Sequence, residues 1–484
     1  LGNELNNLTE EEISRMATVF LTSEFMDELK RRALVDNKAG DIDTAADEVA
    51  EQRQAVRQML ETDAKGIPKQ TNNNCKIALR EDPVLKDAIR FNELNERVDI
   101  IKPMPWRRTA DALTDVDVAN IITYLENNYG LKVDRMIERA IKTVSFDNPY
   151  HPIKAYWESL VWDGKPRVRY ALHHFLGADL TELNYQALKI FMLAAIARVY
   201  DPGHKFDYML CLVGGQGGGK STFLRFLAIS DRYFTDDVKK LDGEDVFEKL
   251  QGHLIIEMAE MLAAIRAVNA EEIKSFITRQ VDVYRIRYDK YATEHPRKCV
   301  FAGTSNKRQF LPLDKSGNRR FIPVECHASM AEVHILDDEE ASRKYIEQMW
   351  AEMMVVYKSG DYSLTLSKEM KEELEILQED FVPEDPMETE IRDFLDSTKE
   401  THVCVSMLYY EALKHNRDFD KPKQGEARII ADIMDNIPGW ERVTSHNFAD
   451  YGKQRGWKRE GTPPVEENPD GFVQVTEQME IPFK

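Results

Sequence analysis

The chain has 484 residues, 42% of them hydrophobic and 31% charged, with a formal net charge of -20. At about 100 to 200 residues per domain this is enough chain for roughly three domains, each large enough for its own core, and the charged fraction fits a soluble globular protein. No run of about 18 apolar residues occurs and the N-terminal LGNELNNLTEEE lacks the basic-then-apolar order of a signal peptide, so neither membrane spanning nor export is expected.

The missing initiator Met suggests a trimmed or partial chain. Cys75, Cys211, Cys299, Cys326 and Cys404 lie far apart with no CxxC pair, which argues against a zinc site or disulfide framework and for a reducing cytoplasm. Any bound metal should therefore be held by oxygen. In bulk, -20 repels nucleic acid, whose binding rests largely on neutralising phosphates. The acidity is local, however: residues 331 to 390 carry -13, whereas residues 279 to 320 carry +7.

In chain order, residues 1 to 70 read as an acidic helical accessory region, with Met16, Val19 and Phe20 and then Val56, Met59 and Leu60 at helical spacing. The lone Asp41 and Asp43 read as an acidic turn, since the rest of a polymerase-type metal site is lacking. Residues 71 to 150 alternate short apolar runs with turn signals, as a small mixed α/β domain does. Residues 151 to 200 read as a helical segment, with Leu188, Ile190, Phe191, Ala194 and Ala195 on an apolar face.

Residues 201 to 330 alternate strand-like and helical stretches, the pattern of a doubly wound parallel sheet. Within them MLCLVGGQGGGKSTFLRFLA sets an apolar strand, a glycine loop and an amphipathic helix in succession, and Gly214 to Ser221 fits GxxxxGK[ST]. In such a P-loop Gly214, Gly215, Gln216, Gly217, Gly218 and Gly219 close backbone N–H groups on phosphate oxygens, and the helix start at Lys220, Ser221 and Thr222 adds its positive dipole end. Lys220 is expected to reach the β- and γ-phosphates of ATP and the Ser221 hydroxyl to ligate Mg²⁺.

Some forty residues on, GHLIIEMAEM offers a buried-type strand reaching Glu257, with Glu260 one helical turn later. This suits a Walker B element, in which one carboxylate orients Mg²⁺ and the other takes a proton from the attacking water. The strand KCVFAGTSN ends at Thr304, Ser305 and Asn306, where a sensor of the γ-phosphate belongs. DKSGNRRFIPV then places Arg319 and Arg320 ahead of another strand, as candidates for an arginine finger offered to a neighbouring subunit.

Residues 331 to 386 read as charged helices and a linker (FVPEDP), residues 387 to 460 as a winged-helix-like unit ending in a basic hairpin, and residues 461 to 484 as a Pro-rich mobile tail. In that hairpin Lys453, Arg455, Lys458 and Arg459 surround Trp457, a set suited to duplex phosphates or to docking a protein.

The ordered blocks EDPVLKDAIRFNE (81 to 93), YHPIKAYWESLVWDGKPRV (150 to 168), the P-loop, LIIEMAEM, IKSFITRQVDVYRIRY (273 to 288), PRKCVFAGTSN (296 to 306) and GNRRFIPV (317 to 324) closely resemble the virulence-associated protein E family of phages and genomic islands. The resemblance implies an α/β fold with a P-loop AAA+-like ATPase core, related to superfamily-three helicases that unwind DNA as rings. It places Lys220 and Ser221 at the phosphate and Mg²⁺ positions, Glu257 and Glu260 at the acidic pair, Asn306 at the sensor and Arg319 or Arg320 at the finger.

It also implies a pore hairpin between the acidic strand and the sensor, with YRIRY and RKCVF as its arms and DKYATEHP near its tip, so that Lys290 and His295 meet phosphate and Tyr291 stacks on a base. The implied partners are single-stranded or forked DNA, further copies of the chain in a homo-oligomeric ring, most simply a hexamer, and replication or loading proteins. The implied setting is the cytoplasm of a bacterial host. Two other readings stay open on the residues alone: an ATPase switch in defence or regulation that binds a protein without unwinding, and a nucleotide-assembled origin-binding scaffold.

Overall fold

The computed structural model describes residues 39–238, 245–259, 270–285, 291–312, 317–461, 466–467 and 473–474. The chain divides into two compact units, Leu1–Phe310 with Ser316–Phe381, and Leu311–Lys315 with Val382–Lys484.

The first unit begins with α1 (Ala39–Met59), which takes in Asp41 and Asp43, so the expected acidic turn there is helix. Helix α2 (Asn72–Glu81) starts where the Thr71 side chain accepts the Asn74 N–H. A hairpin follows, β1 (Ile89–Asn92) antiparallel to β2 (Arg97–Ile100). Helix α3 (Asp115–Tyr129) opens on a reciprocal capping box of Thr114 and Asp117 and stops at Gly130 in the left-handed region, φ 67°. After α4 (Asp134–Phe146), the short β3 (Pro149–Tyr150) joins β1 in parallel. Leu79, Ile89, Ile121, Leu125 and Ile137 form the core of this lobe. The buried Asp82 knits it together, accepting the N–H groups of Val84 and Leu85 and the hydroxyls of Tyr124 and Tyr129.

Three helices follow: α5 (Pro152–Ser159), α6 (Val168–Leu176) and α7 (Glu182–Tyr200). Most of α7 is apolar on every face and is buried, as a helix without a polar side must be. Its one buried charge, Arg198, donates to the carbonyls of His204 (3.0 Å), Phe206 (3.1 Å) and Cys299 (2.7 Å), which ties the helix end to the approaches of two central strands.

Those strands belong to a sheet built from β4 (Met209–Gly214), β5 (Phe234–Thr235) and β6 (Ile255–Ala259), then, past a separate hairpin of β7 (Val281–Tyr284) and β8 (Thr293–Pro296), β9 (Val300–Ser305) and β10 (Phe321–Cys326). The order across the sheet is β10-β4-β9-β6-β5 and every pair is parallel. MLCLVG, VFAGTS and FIPVEC are near-continuous apolar runs because central parallel strands are covered on both faces. Helices α8 (Lys220–Leu227), α9 (Asp245–Leu250) and α10 (Ala270–Thr278) connect the strands.

The acidic stretch packs onto this layer. In α11 (Glu339–Ser359) the residues Ile346, Met349, Trp350 and Met353 enter the same core as the sheet, while Glu339 and Glu340 pair outside with Arg343 and Lys344. Trp350 lies 4.8 Å from Trp157 between ring centroids and donates its indole N–H to the Leu227 carbonyl at 3.0 Å. Helix α12 (Lys368–Glu379) buries Leu374 and Gln378.

In the second unit α13 (Pro386–Ser397) leads into β11 (His402–Val403), two short helical turns over 405–412, α14 (Gln424–Asp435), β12 (Trp440–Phe448) and β13 (Gly452–Arg459). The sheet order is β11-β13-β12, all antiparallel, over a core that includes Ile391, Leu395, Val403, Ile430 and Trp457. In the tail, Glu466–Glu467 pairs with Val473–Gln474. Among the described residues no helix is long and apolar enough to cross a membrane.

Candidate nucleotide site

Strand β4 lies between β10 and β9, and the glycine loop leaves its carboxyl end, the place where ligands settle in open parallel sheets. Gly214 is required there, since a Cβ would sit 2.3 Å from the Cys326 carbonyl oxygen of β10. Gly217 and Gly219 take φ values of 80° and 77°, a region only glycine enters without strain. Gly215, Gln216 and Gly217 are exposed, so the loop's crest is open, while Gly218, Gly219 and Thr222 sit deeper.

Lys220 opens α8 and is 6% exposed. Its ammonium donates to the carbonyls of Gly214 and Gly215, both at 2.7 Å, and to Asn306 Oδ1 at 3.2 Å. Burial holds its pKa below the usual lysine value. The loop lysine and the residue after β9 therefore meet, although 86 positions separate them.

Glu257 stands inside β6, two residues short of its end, and is fully buried. Its Oε1 accepts the Ser221 hydroxyl at 2.7 Å and the Thr304 hydroxyl at 2.5 Å, while Oε2 has no partner among the described residues. Burial pushes the carboxyl pKa up, against the pull of the two hydroxyls and of Lys220. The register places Glu257 beside Ala302 and Ala259 beside Thr304, so Glu257 and Thr304 share one face of the sheet. Thr304 is a site residue that its sequence motif shows only as part of a strand end; its partner lies 47 residues away. Glu260 lies outside the described residues.

A hydroxyl and a buried carboxylate with a spare oxygen fit a hard cation such as Mg²⁺, which takes oxygen ligands and keeps several waters. Among the described residues no three acidic, His or Cys side chains gather as a metal group.

Arg319 is exposed and Arg320 half-buried on the turn Asn318–Arg320 that precedes β10. Gln378 of α12 braces this turn, donating to the carbonyls of Asn318 (2.7 Å) and Phe321 (2.6 Å). Among the described residues neither arginine is hydrogen-bonded to Lys220, Ser221 or Glu257; Arg320 meets the Gly317 carbonyl at 3.5 Å.

The hairpin differs from expectation. Among the described residues its arms are Val281–Tyr284 and Thr293–Pro296, so RKCVF lies past the second arm and leads into β9, while residues 286–288 of YRIRY lie outside the described residues. His295, expected at phosphate, is buried in an arm: Nδ1 lies 2.6 Å from Glu96 Oε2, Nε2 lies 2.9 Å from Thr293 Oγ1, and the ring stacks on Tyr284 at 4.0 Å. Alternation along the strand turns this side chain inward, so it anchors the hairpin's base. Lys298 does the same through Glu96 Oε1 (2.6 Å) and the Glu93 carbonyl. Tyr291 is 70% exposed beyond the arms, and Lys290 lies outside the described residues.

In the second unit Lys453 and Arg455 are exposed on β13. Lys458 instead pairs with Glu441 at 3.1 Å, Arg459 donates to the Leu395 carbonyl at 2.7 Å, and Trp457 donates to Asp435 at 2.9 Å. Half of the expected basic hairpin is thus engaged in holding the unit together.

Residues 157–383 match the model of the virulence-associated protein E-like domain. Two solved structures of the NrS-1 C-terminal region, both described as A form apo structures, align with 77% of this chain at 15% identity. They do so over 96% and 95% of their own lengths, with TM-scores of 0.42 and 0.43. No curated protein matches the chain. The glycine loop, the Glu257 strand, the hairpin and both acidic helices all fall inside the matched span, and it is over residues 157–383 that the chain is similar to the virulence-associated protein E-like domain.

Proposed function

We propose that the chain is a Mg²⁺-dependent ATPase of AAA+ type that works as a ring-forming DNA helicase in the replication of a phage or other mobile element. The observation that carries this reading is the convergence of Lys220, Ser221, Glu257, Thr304 and Asn306 at the carboxyl ends of β4, β6 and β9. These are a phosphate-binding ammonium, a cation-binding hydroxyl and carboxylate, and a polar group level with a γ-phosphate. Bound Mg²⁺ would supply charge neutralisation on the phosphates; Ser221 and Glu257 would hold it, and the loop N–H groups and Lys220 would orient the triphosphate.

Arg319, exposed on the turn before β10, and the half-buried Arg320 beside it are the candidates for the finger offered to a neighbouring copy. The helix, strand, helices and hairpin order of the second unit suits a winged helix, with Lys453 and Arg455 left for phosphates.

The test is complementation. Lys220→Ala and Arg320→Ala should each abolish ATP turnover, and mixing the two inactive proteins should restore part of it, because some interfaces then pair an intact loop with an intact finger. No recovery on mixing, together with a monomeric mass in the presence of ATP, would contradict the ring.

A further inference from the structure

The strand beside the glycine-loop cluster reads IIEMA, with Glu257 as its one carboxylate. The sheet supplies a second from elsewhere. At its edge β5 runs parallel to β6 with Phe234 beside Ile255 and Thr235 beside Ile256. Asp236 follows the last paired residue of β5, as Glu257 follows Ile256 in β6, so the two carboxylates leave the paired register at neighbouring positions. Residues level with one another in a parallel pair lie on the same face, and the face of Glu257 is the one that holds Ser221 and Thr304.

Two further observations single out Asp236. It is exposed, and its side chain makes no ion pair or hydrogen bond among the described residues. Its neighbour Asp237 is tied to Lys249 at 2.8 Å. Burial first, and the Asp236 charge after it, push the Glu257 pKa up. The division of labour follows from burial. Glu257, enclosed and holding two hydroxyls, is built to stay still beside a cation; Asp236, at the open rim, has room for a water molecule.

Resting on the ATPase reading, we infer that Asp236 is the general base of the site, the role that the sequence left open between Glu257 and Glu260. As the water oxygen bonds to the γ-phosphorus, the bond from that phosphorus to the β,γ-bridging oxygen breaks, and its electron pair leaves on ADP. The proton of the water passes to a carboxylate oxygen of Asp236.

The experiment compares the full chain with Asp236→Asn, Asp236→Glu and Glu260→Gln, measuring ATP binding by calorimetry and turnover by phosphate release. Asp236→Asn should bind ATP as the parent chain does and lose about 10²- to 10⁴-fold in turnover, the range of a general base. Asp236→Glu should recover part of that loss. Turnover unchanged in Asp236→Asn, or loss of ATP binding along with turnover, overturns the assignment, as does binding without turnover in Glu260→Gln alone. A parent chain that neither binds nor hydrolyses ATP would instead sink the ATPase reading itself.

Discussion

Thr304 shows how a single hydroxyl sets the candidate site. Bound nucleotide would draw Ser221 away from Glu257 toward the cation, and Thr304, 7% exposed, would remain to hold the carboxylate. Thr304→Val should therefore raise the Mg²⁺ concentration needed for half-maximal turnover by about 10-fold, the scale of a lost supporting contact at a metal site, while Thr304→Ser stays near the parent. Equal Mg²⁺ dependence in all three proteins would remove this role.

Glu257 offers a second test, through pH. Its carboxyl pKa is raised in the folded chain by burial, so the folded state holds this proton more tightly than the unfolded state. The stability it contributes is complete below the unfolded pKa of about 4.3 and is lost as pH rises through the folded value. Glu257→Gln removes that loss, so without nucleotide its melting temperature should exceed the parent's at pH 8, with the gap closing toward pH 4. A parent chain more stable than Glu257→Gln at pH 8 would contradict this sign.

Among the elements, the β7–β8 hairpin is defined by what clamps it. Glu96 reaches His295 and Lys298 across 199 and 202 positions, from a turn where its own φ is 56°. Glu96→Ala leaves both partners without their carboxylate, and protease cleavage within 285–292 should quicken by about 10-fold, equivalent to about 1.4 kcal/mol of local opening. Cleavage at the parent rate would show that the clamp is idle.

The same contacts show what was legible in the sequence. The glycine loop, Glu257 and Asn306 are read directly, because backbone approach to phosphate demands glycines at fixed spacing and the loop's strand and helix follow from local apolar periodicity. A hairpin between the acidic strand and the sensor strand is also legible from the resemblance, but its register is not. His295 faces inward because of a turn two hundred residues earlier, and no local pattern reports that. Thr304 and Asp236 escape for a related reason: their place beside Glu257 exists only through strand order.

At the scale of the whole molecule, the charge of -20 needs a further refinement. The surplus of +7 over residues 279 to 320 is partly answered by acids from outside that stretch: Glu96 meets Lys298, and Glu325 and Asp380 meet Arg308 at 3.4 and 3.0 Å. Arg285, Lys307 and Arg319 stay exposed. The acidic helices share the core of the parallel sheet through Trp350 and Leu374, so their charge forms an outer coat on a packed layer. On the proposed function, a chain built this way would repel nucleic acid over most of its surface and leave these few basic residues for a confined strand.

If the cluster around Lys220 binds and hydrolyses ATP with Mg²⁺, steady-state phosphate release with and without forked DNA will report it. The expected result is Mg²⁺-dependent turnover that rises with DNA and disappears in Lys220→Ala. Turnover that is absent in the parent chain, or that survives in Lys220→Ala, would contradict the account.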